Sequence, residues 1–385
     1  MKILYTLDSA NIGGMEKYVL DLAEGMMSRG HEVHIWCRQG PLAKIYQNAG
    51  AVVVPVEVKY DIDPLYIYRQ IKYIKKHNIQ VVHCNELRAV ANTLIASRLA
   101  GVRCRISHIH TPYSQWQVPV YKRKIYSICY AMAVRLLSSS EIALTNETLK
   151  VKLEEGIPLS KLKIIGNSVN FDALKLNESQ KNKYRAEILK KHGLPEDIFI
   201  IGNISRLTEE KGHRFLVSAF ANLLESHPEP SKSHLLVAGG GYLQESLEQQ
   251  AKDLGISNKV TFTGRFIEED KIKYLASFDM FIFPTLAEGF GIVLIEAMYM
   301  YIPLICSDLP VLKEVSKGTV KYFESGNSED LCVKMYELFH SLDGLNTKER
   351  VVAAHTVVRK NYSLEDFVSS YEDLYKKCVR KKESE

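Results

Sequence analysis

The sequence predicts an α/β protein built as two successive parallel-sheet domains, and three observations carry that prediction. Short runs rich in Ile and Val alternate with amphipathic helical stretches from the first residue to about position 340, as buried parallel strands covered by helices do. The alternation starts afresh near residue 198 after a polar stretch, so one architecture is written twice. A chain of 385 residues also exceeds what one typical core encloses.

In the first half, strands are expected near residues 2–7, 32–37, 51–56, 80–83, 104–109, 142–145 and 162–165, with helices filling the gaps. Ile12-Gly-Gly-Met-Glu-Lys-Tyr18 follows the first strand and opens a helix. Glycine there lets a ligand approach the backbone closely, and strand-to-helix turns also use it for purely structural reasons. Asp61-Ile-Asp63 imitates a metal-binding Asp-x-Asp pair, yet it stands before Pro64 at the start of a helical stretch and reads as helix capping.

The second series of strands is expected at 198–204, 235–238, 260–262, 280–283, 304–306 and 320–323. Residues 177–191 between the two series are polar and charged, which sets the hinge near 167–180 and the domains at 1–170 and 171–360. The closing segment, 361–385, holds an amphipathic helix at 362–382 with Phe367, Tyr371, Leu374 and Tyr375 spaced for one face. It is expected to pack back on the first domain.

Composition is that of a globular protein, 46% hydrophobic and 25% charged. The seven cysteines are odd in number and scattered, with no C-x-x-C pair or zinc-type spacing, so a reducing compartment and no structural metal are expected. The first residues enter a strand pattern directly, which predicts no secretion signal. No apolar run approaches the roughly 20 residues a spanning helix needs. Charge is uneven: residues 1–170 carry 22 Lys+Arg against 13 Asp+Glu, and the remainder 28 against 32. No helix-turn-helix, RNP-like strand or zinc finger directs the basic half toward nucleic acid, so an anionic membrane is the expected partner. Trp116, Tyr121, Lys122-Arg-Lys124, Ile125, Tyr126 and Tyr130 suit a helix lying on such a surface, or a plain solvated charged face.

The stretch richest in chemistry is Phe283-Pro-Thr-Leu-Ala-Glu-Gly-Phe-Gly-Ile-Val-Leu-Ile-Glu-Ala297, a strand running into a glycine loop and an apolar helix. Gly289 and Gly291 allow close approach of the backbone, and the helix start directs free N–H groups and a positive dipole end at a ligand. That is an anion site suited to a diphosphate. Glu288 lies beside it and Glu296 about two turns further along, too far apart to act as one acid/base pair, so separate hydroxyl groups are their natural partners.

Two glutamates bracketing seven residues, with Gly-Phe-Gly after the first, resemble the signature of glycosyltransferase family 4. The resemblance extends over roughly residues 1–376. It includes Ile201-Gly-Asn-Ile-Ser-Arg-Leu-Thr-Glu-Glu-Lys-Gly212, Gly239-Gly-Gly241, Phe262-Thr-Gly264 and Pro303-Leu-Ile305. It implies the GT-B fold, two Rossmann-like domains with parallel sheets facing a deep cleft, the first on the acceptor side and the second binding the nucleotide sugar. By the same resemblance Arg206 and Lys211 clamp the donor diphosphate, Glu288 binds sugar hydroxyls and Glu296 the ribose. Phe290 and Gly291 offer backbone N–H groups, and the base lies near Arg265 and Phe266. Gly14 contacts the phosphate and acceptor, and His110, with His108 as a rival, faces the transferred sugar. Two fixed cations stabilise a departing diphosphate as Mg²⁺ does elsewhere, so no metal and no cofactor are expected.

The implied activity is a retaining, metal-independent transfer of sugar from a nucleotide diphosphate sugar, UDP-linked before GDP-linked, to a lipid-linked or saccharide acceptor. Its setting would be capsule, exopolysaccharide or lipopolysaccharide assembly at the cytoplasmic membrane face. A non-hydrolysing sugar-nucleotide epimerase and a catalytically silent partner subunit share the fold and are the alternatives. Tyr301-Ile302-Pro303 and Leu309-Pro-Val-Leu-Lys-Glu314 depart from the family pattern, which bears on donor identity.

Overall fold

The computed structural model describes residues 1–9, 13–110, 112, 119–227 and 229–380. It divides into two compact units, one of residues 1–168 with the C-terminal segment from Leu364, the other of Val169–Ser363.

The first unit is a seven-stranded sheet of β1 (Lys2–Thr6), β2 (Glu32–Cys37), β3 (Val52–Pro55), β4 (Val81–Asn85), β5 (Cys104–His108), β6 (Ser140–Ala143) and β7 (Leu162–Ile164). Its order is β3-β2-β1-β4-β5-β6-β7, and every pairing is parallel. The central strand β4 is buried along its whole length, as expected of a parallel strand covered on both faces, so its sequence shows no in/out alternation. Parallel neighbours need crossovers, and helices supply them. One is Pro64–His77, where the Asp63 carboxylate accepts from Tyr66 N at 3.0 Å and Lys59 N at 3.1 Å, Pro64 occupies the first turn, and Asn78 closes the helix in the left-handed region.

The helix Leu364–Arg380 belongs to this unit. Phe367, Val368, Tyr371 and Tyr375 are buried in one core with Ile3, Tyr5, Tyr18 and Leu22. A Cβ on Gly25 would lie 2.3 Å from Val368 Cγ2, so only glycine lets the helix Gly14–Ser28 approach this closely. Glu372 ties the seam, meeting Arg29 at 3.0 Å and His31 at 2.9 Å. Hydrogen bonds from Lys376, His31 and Arg29 hold its carboxyl down at about 2.

The second unit is a six-stranded sheet of β8 (Phe199–Ile204), β9 (Ser233–Ala238), β10 (Val260–Phe262), β11 (Met280–Phe283), β12 (Leu304–Ser307) and β13 (Lys321–Phe323). The order is β10-β9-β8-β11-β12-β13, again all parallel. The polar stretch at 177–191 is mostly helix, Glu178–His192, with a capping box of Asn177 and Gln180 and a left-handed Gly193 at its end. Arg185 docks it on the unit by donating to Ser277 O at 2.6 Å and Ile198 O at 2.7 Å. Packing through a guanidinium leaves little apolar periodicity, so the stretch reads as a linker. The division falls at Ser168 and Val169, and Val169 N donates to Tyr362 O at 2.9 Å.

Candidate functional site

In a doubly wound sheet, ligands gather outside the carboxyl ends of the two strands where the order reverses. In the second unit those strands are β8 and β11. They are joined by Asn203, whose buried amide donates to Ile282 O at 2.8 Å. The loops that follow them are joined as well: Glu210 O accepts from Leu286 N at 2.7 Å and from Thr285 Oγ1 at 3.0 Å. Gly212 sits at φ +67°, and a Cβ there would come 2.1 Å from Pro284 O. Glycine is therefore required for the two loops to touch.

This junction brings Lys211 and Glu288 together. Lys211 Nζ donates to Glu288 Oε2 at 2.6 Å, with both side chains about 15% exposed. Glu288 Oε1 also accepts from Gly289 N at 3.3 Å. Beyond it, Gly291 takes φ +90° and caps the helix Ile292–Tyr299 without a side-chain bond, which leaves the helix start to an outside acceptor. Phe290 is buried against Tyr362, ring centroids 5.4 Å apart. Beneath Lys211, His213 is held by Ser205 Oγ at 2.8 Å and Asn203 Oδ1 at 3.2 Å. Burial lowers its imidazole to about 4, so it is neutral near pH 7.

Arg206 and Arg265 line a cavity of about 610 Å³ with Thr208, Gly240, Gly241, Tyr242 and Gln244. Its glycine floor is enforced by close packing: a Cβ on Gly241 would lie 2.2 Å from Leu207 O. Two guanidinium groups over exposed backbone are the chemistry of an anion site. Phe266, next to Arg265, packs its ring 5.1 Å from that of Tyr274.

Glu296 is held by a different cation. It is buried, and Lys271 Nζ lies 2.7 Å from its Oε1 while also pairing with Glu268. Burial alone would lower the Lys271 ammonium, but Glu296 and Glu268 outweigh it and hold it above the ordinary lysine range. Lys271 escaped sequence reading because it stands in the run Glu268-Glu-Asp-Lys271, which looks like a solvated charged turn.

In the first unit the order reverses between β1 and β4. Gly14 is exposed at the first position of the helix Gly14–Ser28, whereas Ile12 of the same motif lies outside the described residues. The two histidines separate by burial. His108 is fully buried and pairs with Tyr18 OH at 3.2 Å; His110 is half-buried, stacks on His108 at 3.8 Å and pairs with Asn85 Oδ1 at 3.3 Å. Burial depresses both imidazoles, reinforced for His108 by His110 and for His110 by Lys152. Lys152, itself buried, fixes the chain before His110 by donating to Ile109 O at 2.9 Å and Ile142 O at 2.7 Å and by pairing with Glu141. Glu86, which sequence reading also missed, holds φ +64° and accepts from Ser9 Oγ at 2.9 Å. A tertiary pairing of this kind leaves no local signature.

Comparison with known proteins covers both units. Residues 12–173 match Glycosyltransferase Family 4, and residues 184–350 match Glycosyl transferases group 1. An uncharacterised glycosyltransferase of Methanocaldococcus jannaschii is 26% identical over 333 residues, 80% of this chain and 80% of that protein. The UDP-Gal:alpha-D-GlcNAc-diphosphoundecaprenol alpha-1,3-galactosyltransferase of Escherichia coli is 22% identical, with 77% of each chain covered. The crystal structure of Anabaena HepE in complex with UDP and glucose superposes with a TM-score of 0.83 at 19% identity, over 97% of this chain and 98% of that one. With family matches on both of its units and the fold of GT-B enzymes, the chain belongs to glycosyltransferase family 4 and is a glycosyltransferase.

Proposed function

We propose that the protein is a retaining glycosyltransferase that moves a sugar from a UDP-sugar to a lipid-linked saccharide acceptor in cell-surface polysaccharide biosynthesis, without a metal ion. The observation that carries the reading is the contact of Lys211 with Glu288 at the β8/β11 reversal. One cation and one carboxylate at 2.6 Å match a ligand that presents phosphate and sugar hydroxyls side by side, as a nucleotide diphosphate sugar does. Arg206 and Arg265 add positive charge where the diphosphate would extend. The galactosyltransferase relative acts on a diphosphoundecaprenol acceptor, and the Anabaena protein binds UDP and glucose; both favour this donor and acceptor class.

In the proposed step the bond between the anomeric carbon and the β-phosphate oxygen breaks. The acceptor oxygen bonds to the same face of that carbon, and the acceptor proton passes to the departing phosphate oxygen. Arg206 and Lys211 stabilise the charge gathering on the leaving diphosphate. Glu288 orients the sugar, Glu296 the ribose, and neutral His110 meets the transferred sugar.

The test is incubation of the purified protein with UDP-glucose, UDP-galactose and GDP-mannose, in chelator, with a GlcNAc-diphospholipid acceptor. NMR then gives the configuration of the new linkage. A retained α-linkage from a UDP-sugar is the expected product. An inverted linkage, strict dependence on Mg²⁺, or an isomerised donor formed without acceptor each contradicts the reading.

A further inference from the structure

The helix Val120–Leu137 of the first unit is apolar on two opposite sides, and among the described residues the fold covers one of them. Tyr126, Tyr130, Val134 and Leu137 pack inward with Val90, Leu94 and Ile157. At about 100° per residue, Tyr121, Ile125, Ile128, Met132 and Leu136 form a second stripe facing away, each more than half exposed. A globular surface helix ordinarily turns polar residues outward, and five large apolar groups in one line exceed scattered surface hydrophobics. Of the residues expected on a membrane-facing helix, Tyr126 and Tyr130 pack inward, while Tyr121 and Ile125 face out. Trp116 lies outside the described residues.

Charge selects what covers the stripe. Lys122 and Lys124 flank its first turn and Arg135 its last, on the same helical projection, and residues 111–140 contain no Asp or Glu. Among the described residues no helix is long and apolar enough to cross a membrane. An apolar line bordered by cations and clear of anions fits the boundary of an anionic bilayer: the stripe enters the acyl region while the basic side chains reach the headgroups. The helix starts ten residues after His110, so it shares a chain segment with a residue proposed to meet the transferred sugar.

We infer that the outward face of Val120–Leu137 is a docking surface for an anionic lipid bilayer, which holds the first unit against the membrane that carries the acceptor. This deepens the lipid-linked acceptor reading, but lipid attachment is measured without donor or acceptor, so the two can fail separately.

The test is flotation of the full chain with vesicles of phosphatidylcholine alone and with 40% phosphatidylglycerol, at low and high salt, for the wild type and for Ile128→Glu/Met132→Glu. Both substituted residues are exposed, so the variant should keep its thermal midpoint and its affinity for UDP. The expected result is wild-type binding to the phosphatidylglycerol vesicles alone, weakened by salt, with at least a tenfold loss in the variant. Absence of binding to anionic vesicles, or equal binding by the variant, overturns the inference. So does a wild-type dimer in solution that the variant converts to monomer, because a second copy would then cover the stripe. If the variant fails to fold, Lys122→Glu/Lys124→Glu replaces it, with the same loss expected and equal binding again contradicting the inference.

Discussion

Lys211 and Glu288 form a nearly buried pair at 2.6 Å, so removing one partner strands the other in a site shaped for both. Glu288→Gln and Lys211→Met are each expected to lower kcat by about 10²-fold or more, the scale of losing one fixed electrostatic contact to a transition state. Circular dichroism should show intact folds; near-normal turnover in both variants contradicts the assignment. Lys271 acts one contact further out, by holding Glu296 at 2.7 Å. Lys271→Met should weaken UDP binding roughly tenfold, equivalent to about 1.4 kcal/mol, and change turnover at saturation less; an unchanged Kd contradicts that role. These residues were unequally legible. Glu288, Lys211 and Arg206 stand in motifs whose order and spacing are specific, while Lys271 reaches Glu296 only through folding. His108 and His110 stand two apart on one strand end, and burial separated them.

At the scale of elements, the loops after β8 and β11 depend on Gly212. Gly212→Ala meets both the left-handed backbone and the Pro284 carbonyl, and should destabilise the second unit by on the order of 2 kcal/mol or more, read as a drop in its denaturation midpoint. The helix Leu364–Arg380 completes the core of the first unit, so Tyr371→Ala should cost roughly 3–5 kcal/mol; a loss below about 1 kcal/mol contradicts that packing role. The same core keeps His83, His108 and His110 uncharged, His83 down at about 3 through burial. A folded-state value below the unfolded 6.5 means that this stability is complete above about 6.5 and is lost as pH falls toward 3, because the unfolded chain takes up the proton first. Urea unfolding should therefore show stability declining from pH 7 to pH 4.5, and a flat profile contradicts neutral burial. Most strands were legible because burial on both faces writes continuous apolar runs. The helix Glu178–His192 was not, since Arg185 docks it and its surface is mostly charged.

At the scale of the whole molecule, the doubling of one parallel-sheet pattern was the clearest message of the sequence, and each unit carries its own family match. The C-terminal return of the chain to the first unit was visible as an amphipathic helix with Phe367, Tyr371 and Tyr375 on one face, the residues that are buried in the first unit's core. Donor and acceptor chemistry stayed out of reach, because a few loop contacts choose among sugars and the same glycine turns serve all of them. The functional proposal therefore rests on a donor site in the second unit that works through fixed cations.

Isothermal titration of UDP into the chelator-treated protein, repeated with Arg206→Ala and Lys211→Ala, measures that claim directly. Micromolar binding by the wild type that either substitution weakens at least tenfold, about 1.4 kcal/mol, is the predicted result. Binding that appears only with Mg²⁺, or that neither substitution changes, would contradict it.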